Sequence, residues 1–407
     1  MKTKQAARPR RRIAGTLVAI GLLAVTGCGS SRPAPDPGPG PVGGTAIAGV
    51  DSPCPSGAAG AVTLVLGARA NSPAPQLDPA VDALLDHAAA AGRPITVIRS
   101  DGSPEKVISE TFSSRAGNTV ALRGDRIQFE RNLQTTIDGV RAKSAQADPL
   151  TALGLAGRST QQGGTVVMID SGLQTVAPLN FRSGGLLDAA PEDVTSFLSR
   201  GRDLPALQGL SVVLMGIGDT AAPQPRLPSR EHANLVALWK AVAQKAGAAC
   251  VDVVSDPATG PAVSGVPSVS TVPVPAQASY SAVCGTQVLY DSGSVGFLPD
   301  SAVLRDPAAA RSVLGRLAGW IADKGFNVAL TGTTADWGTE QGRHQLSVAR
   351  ATSVQNLLLR LGVPADRITV TGVGSDWPGY IPDRAPNGAL LPGPAEHNRS
   401  VLLNVRC

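Results

Sequence analysis

Signature motifs of catalysis are missing from this chain. Its four histidines, His87, His232, His344 and His397, are scattered, and none forms an HExxH pair. There is no G-x-S-x-G elbow and no phosphate-binding P-loop. Met215-Gly216-Ile217-Gly218-Asp219 has two glycines at a strand end but lacks a full GxGxxG, so the geometry of a chain turn accounts for it. No cysteine pair has CxxC spacing, which argues against structural zinc. Aromatic residues are few, at 3% of the chain, and that scarcity says little about fold. The reading is non-catalytic; a hydrolase or carbohydrate-active enzyme assembled from distant residues of the N-terminal half is the alternative from another class.

What is present begins with a leader. Residues 1–27 join a basic stretch, MKTKQAARPRRR, to the apolar run IAGTLVAIGLLAV, which is too short for a comfortable membrane span. The run ends at Val25-Thr26-Gly27-Cys28, resembling a bacterial lipobox, so Cys28 is expected to become the lipid-carrying N-terminus at the extracytoplasmic face of a membrane. Six basic residues and no acid lie in this leader; removing them from the chain's net +5 leaves −1. The high pI therefore belongs to the leader and gives no case for a nucleic-acid partner. Cys54, Cys250, Cys284 and Cys407 remain, and an even count in an exported chain reads as disulfides, with three pairings open.

Composition divides the rest. Residues 28–60 are a Pro/Gly-rich tether that cannot bury a core, and residues 256–281, rich in proline and small polar residues, read as a linker. Between them, 61–255 alternate apolar strands (61–67, 94–100, 164–170, 210–218, 248–254) with helices (77–92, 233–247 and one through Phe129, Leu133, Ile137 and Val140). Residues 117–130 read as a hairpin turning at Gly124-Asp125. Near-continuous apolar strands in βα alternation predict an α/β, doubly wound, mainly parallel sheet. In its order of elements, and in Val166-Val167-Met168-Ile169-Asp170-Ser171-Gly172, this domain resembles the von Willebrand factor type A fold. That family's metal site needs Asp-x-Ser-x-Ser after the first strand. Here the place reads Gly67-Ala68-Arg69-Ala70-Asn71, so no metal or other cofactor is expected and Asp170 alone makes no site.

Residues 282–407 predict an α+β domain: βαβαβ, a long loop, then a final β-strand, on a small mixed sheet. In the helix 343–363, Leu346, Val354, Leu357, Leu358 and Leu361 make an apolar stripe, and Arg350 lies on that stripe. A desolvated guanidinium requires a partner. Phe297-Leu298-Pro299-Asp300-Ser301-Ala302-Val303-Leu304, Leu346-Ser347-Val348-Ala349-Arg350-Ala351, Gly372-Val373-Gly374 and Asn398-Arg399 together resemble the OmpA-like, peptidoglycan-binding domain.

That resemblance implies that Arg350 takes the carboxylate of a diaminopimelate-type wall peptide, which a planar guanidinium grips with two parallel hydrogen bonds. An internal partner, Asp336 or a loop carbonyl, is the other reading of Arg350. The family pattern after the second strand is Gly-His-Thr-Asp; here it is Gly332-Thr333-Thr334-Ala335, with Asp336 one residue late. Arg343 stands at a family asparagine, Asp300 at the first-loop asparagine and Ser400 at a basic position. The candidate peptidoglycan-binding residues are thus Arg350, Asp336, Asp300 and Thr334, with the negative half of the pocket altered. The resemblance also sets the first and last strands of this domain side by side, which pairs Cys284 with Cys407 and leaves Cys54 for Cys250. The chain reads as a cell-envelope lipoprotein linking membrane to peptidoglycan, with the N-terminal domain open to a protein partner. A protein-interaction scaffold without wall binding is the alternative.

Overall fold

The computed structural model describes residues 54, 60–274 and 280–407. The leader, Cys28 and nearly all of the tether lie outside the described residues.

The first domain runs β1 (Val62–Leu66), α1 (Pro79–Ala90), β2 (Pro94–Arg99), β3 (Glu105–Thr111), α2 (Thr119–Gly139), α3 (Pro149–Ser159), β4 (Thr165–Ile169), α4 (Pro191–Gly201), β5 (Ser211–Met215), α5 (Ser229–Lys245) and β6 (Cys250–Val253). The sheet order is β3-β2-β1-β4-β5-β6, parallel throughout except for β3, which runs antiparallel to β2. β1 and β4 are buried along their whole length because helices cover both faces. Val65, Val166 and Met168 face a core shared with α3, α4 and α5. Val62, Leu64, Leu66, Val167 and Ile169 face the core of α1 and α2.

The hairpin expected over 117–130 is not formed; α2 runs straight through it. Asn118 caps the helix, its side chain accepting from the Ala121 N–H at 2.9 Å. A glycine inside a helix costs about 1 kcal/mol. The cap and the packing of Leu133 and Ile137 outweigh that cost at Gly124. Val120, Leu122 and Ile127, whose spacing suggested strands, are 81%, 45% and 40% exposed and pack into no core.

Residues 256–274, read as a linker, lie along the first domain. Amide side chains hold them there: Asn71 Nδ2 donates to the Val269 carbonyl at 2.9 Å, and Gln224 exchanges two hydrogen bonds with the backbone of Val272, which is itself buried.

The second domain contains β7 (Gly285–Tyr290), α6 (Pro307–Lys324), β8 (Asn327–Gly332), α7 (Glu340–Arg360), β9 (Ile368–Gly372), α8 (Pro392–Asn398) and β10 (Ser400–Arg406). The sheet order is β7-β10-β8-β9, with β10 antiparallel to both neighbours and β8 parallel to β9. Leu314, Leu317 and Ile321 of α6 and Val354, Leu357 and Leu358 of α7 pack on one face of it. Disulfides join Cys54 to Cys250 and Cys284 to Cys407, with Cα–Cα distances of 5.4 and 5.8 Å. β7 and β10 are antiparallel neighbours, which brings the second pair together.

The two domains meet at α4 and α8. Arg399 pairs with Asp193, and the Arg200 guanidinium lies 5.0 Å from the centre of the Trp337 ring. Gly185 has φ +84°, and a Cβ there would sit 2.5 Å from the Gly393 carbonyl oxygen, so the backbones approach as only glycine permits. Among the described residues, no helix is long and apolar enough to cross a membrane.

Candidate functional site

The site is built along α7. Thr339 caps the helix, accepting from the Gly342 N–H at 3.1 Å. From there Arg343, Ser347 and Arg350, spaced four and three residues apart, fall on one face. The ends of β8 and β9 press on that face. A Cβ on Gly332 would sit 1.9 Å from the Ser347 carbonyl oxygen, and one on Gly372 would sit 2.4 Å from Ser347 Oγ. Such contact lays the loop after β8, residues 333–338, alongside α7.

The first four residues of the loop have distinct roles. Thr333 is tied to the strand entering β10: its N–H donates to the Ser400 carbonyl at 2.9 Å and its hydroxyl to the Asn398 carbonyl at 2.7 Å. The Thr334 N–H donates to the Gly374 carbonyl at 2.8 Å, while the Thr334 hydroxyl is buried with no partner. Ala335 packs with Leu390 and Ala395. Asp336 is engaged on both sides, 3.1 Å from Arg343 Nη1 and 3.4 Å from Arg384 Nε. Its N–H donates at 3.0 Å to Asp383, a buried carboxylate that also accepts from Tyr380 and Asn398.

Arg350 is only 2% exposed. Its Nε donates to the Ser301 carbonyl at 3.0 Å, and its guanidinium lies 5.3 Å from the centre of the Phe297 ring. Of the two internal partners the sequence suggested, the loop carbonyl is therefore the one observed. Nη1 is buried without a hydrogen-bond partner. Among the described residues Arg350 joins no ion pair. Burial pulls its pKa below the ordinary value, against the fields of Asp291, Glu396 and Asp300 and with that of Arg399. Asp300, exposed and in the left-handed region at φ 46°, turns the loop that presents Ser301.

The structure thus gathers Arg350 with the Asp300 loop and links Thr334 through Gly374 to Ser347, one helical turn before Arg350. It commits Asp336 to two arginines. Glu396 escaped the sequence reading. This α8 residue is buried, one carboxyl oxygen is unpartnered, and burial followed by the Asp291 charge raises its pKa to about 8. No local pattern marks it, because of its charged neighbours only Arg399 is near in sequence, while Asp291 and Arg305 come from the loop between β7 and α6 and Asp188 from the loop between β4 and α4.

At the carboxyl ends of β1 and β4, Arg69 Nη2 meets Asp170 Oδ1 at 2.6 Å. Ser100 Oγ donates to Asp170 Oδ2 at 2.8 Å, and the Gly172 N–H donates to Oδ1 at 2.8 Å. Internal donors therefore occupy both oxygens. Cavities of about 160 and 340 Å³ lie elsewhere, in the groove between α1 and α2.

Residues 296–384 match the family model described as OmpA family. No curated protein matches the chain. Several solved structures are similar to part of it. The peptidoglycan-associated lipoprotein from Burkholderia pseudomallei is 19% identical, with 29% of this chain and 89% of that one covered and a TM-score of 0.24. The periplasmic domain of Helicobacter pylori MotB is 17% identical, with 30% and 74% covered and a TM-score of 0.24. The cell wall anchor of the T6SS from Pseudomonas aeruginosa is 25% identical, with 30% and 79% covered and a TM-score of 0.24.

Proposed function

Residues 296–384 being an OmpA family domain, we propose that the protein is a non-catalytic, lipid-anchored protein of the cell envelope that holds peptidoglycan through the Arg350 pocket. The observation that carries this reading is the state of Arg350: a buried cation with one neutral carbonyl partner, one aromatic face and an unpartnered Nη1. Burying an unmatched charge is costly, and an incoming carboxylate would remove that cost by completing the hydrogen bonds of the guanidinium. The carboxylate of a diaminopimelate-type peptide is the ligand. The free Thr334 hydroxyl supplies a further donor, and Asp300 at the rim supplies negative charge for the ligand's ammonium group. Asp336 holds the loop through Arg343 and Arg384 and does not touch ligand.

Cys28 carries the lipid, and the Pro/Gly-rich residues after it let the folded body stand off the membrane. The first domain, a type A-like unit without metal, serves protein interaction. Co-sedimentation with purified diaminopimelate-type sacculi tests the wall reading: the wild-type chain should pellet and Arg350→Ala should not. A second reading, an envelope scaffold with no wall ligand, is favoured by the neutralisation of Asp336 by two arginines. It predicts that neither protein pellets.

A further inference from the structure

The β8–α7 loop is held from outside its own domain. Asp193 and Arg200 lie seven residues apart on α4, two helical turns along one face. Arg200, in the last turn, places its guanidinium over Trp337, the residue after Asp336. Arg384 lies over the same ring at 5.0 Å. The Trp337 N–H donates back to the Ala335 carbonyl at 2.9 Å, so fixing Trp337 fixes the turn that follows Thr334. Asp193, in the first turn, pairs with Arg399. Arg399 lies between Asn398 and Ser400, the two residues whose carbonyls hold Thr333. One face of α4 therefore grips both ends of the segment 333–337, and Thr334 lies between the grips.

Arg399 is also electrostatically linked to the pocket. Its charge opposes that of Arg350, and Asp193 supplies the counter-charge. Pairing with Asp193 thus holds a competing cation in place near the ligand arginine.

We propose that Arg200 and Asp193 of the first domain are positioning residues for the wall pocket, clamping both ends of the Thr333–Trp337 segment so that ligand binding at Arg350 is coupled to the state of the first domain. The identity of the ligand rests on the function proposed above; the clamp rests on the two contacts alone. Coupling of this kind is reciprocal: whatever moves α4 changes the affinity of the pocket, and ligand in the pocket biases α4. The clamp is a stated pair of contacts, so it is open to direct measurement.

Two measurements on the full chain decide it. Calorimetry uses the tripeptide L-Ala-γ-D-Glu-meso-diaminopimelate as probe, with wild type, Arg200→Ala, Arg200→Lys, Asp193→Asn and Arg350→Ala. A cation over an exposed ring is worth enough that Arg200→Ala should weaken binding roughly two- to fivefold. Arg200→Lys, which keeps the cation, should recover most of it, and Arg350→Ala should abolish binding. Amide hydrogen exchange without ligand is the second measurement: Arg200→Ala and Asp193→Asn should speed exchange at Thr333, Thr334 and Trp337 and leave the core of β8 unchanged. If Arg350→Ala abolishes binding while Arg200→Ala and Asp193→Asn bind as wild type does, the ligand reading stands and the coupling is overturned. If wild type binds no tripeptide, the ligand reading is overturned and the exchange measurement decides the clamp. Unchanged exchange in both α4 variants overturns the clamp.

Discussion

Arg69 and Asp170 form a salt bridge of 2.6 Å in the interior of the first domain, with side-chain exposures of 1% and 0%. Gly67 makes room for it, since a Cβ there would sit 2.5 Å from Asp170 Oδ2. The guanidinium is thus a covalently attached counter-ion at the carboxyl end of the sheet. Breaking such a pair from one side leaves a buried charge uncompensated and costs ~3–5 kcal/mol. Arg69→Ala should lower unfolding free energy in urea by about that amount. Neither calcium nor magnesium should raise the melting temperature of the wild type. A cation-dependent rise abolished by Asp170→Ala would show that Asp170 is free to bind metal.

Arg350 calls for the opposite outcome. It is buried without a carboxylate partner, so its desolvation is poorly repaid. Arg350→Met, which keeps the stem and removes the charge, should raise the melting temperature while abolishing sacculus binding. A loss of several kcal/mol in Arg350→Met would assign the residue a structural role.

Restoring the family carboxylate should not help this chain. Ala335 is 4% exposed and packs with Leu390 and Ala395. Ala335→Asp would bury a carboxyl among apolar groups, which costs more than the roughly 1–3 kcal/mol of an unpaired neutral polar group. Thermal melts should show the loss and calorimetry no gain in tripeptide affinity. Tighter binding would mean that the loop turns the new carboxylate into the pocket.

Glu396 sets a pH dependence. Its folded pKa is about 8 against an ordinary 4.5. Between those values the folded chain holds a proton that the unfolded chain has lost, so this group makes stability fall as pH rises through the window, by up to ~1.4 kcal/mol per pH unit. Below pH 4.5 both states are protonated and the slope vanishes; above about 8 both are ionised and it vanishes again. Glu396→Gln should remove this slope and gain most over wild type at pH 8–9. Parallel stability curves for the two proteins would contradict the assignment.

Legibility in the sequence followed burial. β1, β4 and β5 are runs of Val, Leu, Ile and Met covered on both faces, and α7 carries its apolar stripe; both patterns are local. β3 leaves no pattern in the sequence because it is an edge strand in which only Ile108 of its seven residues is even partly buried, and its charged residues hide the alternation. The first turns of α2 project without packing partners, so in the sequence Val120, Leu122 and Ile127 imitate a strand. In the site, Arg350 stood out as a charge on an apolar face. The commitment of Asp336 to Arg343 and Arg384 was hidden, since one partner lies seven residues away and the other 48. The attachment of residues 256–274 depends on Asn71, Gln146 and Gln224, whose amides reach across 48 to 199 positions and leave no periodic trace.

The Cys54–Cys250 bond also determines how the molecule would bear tension. A pull on the segment before Cys54 crosses the disulfide to Cys250, bypassing the 196 positions of chain that separate the two residues. The strands and helices between them lie within a covalent loop and are shielded from that load. Force passes instead through β6, which Cys250 opens, and on to Cys284, which is bonded to Cys407 at the other end of the second domain's sequence. Strands β1 to β5 are thereby protected from being peeled away from the N-terminal side. Under a reducing agent the same pull would reach β1 directly, and the domain would unravel at lower force.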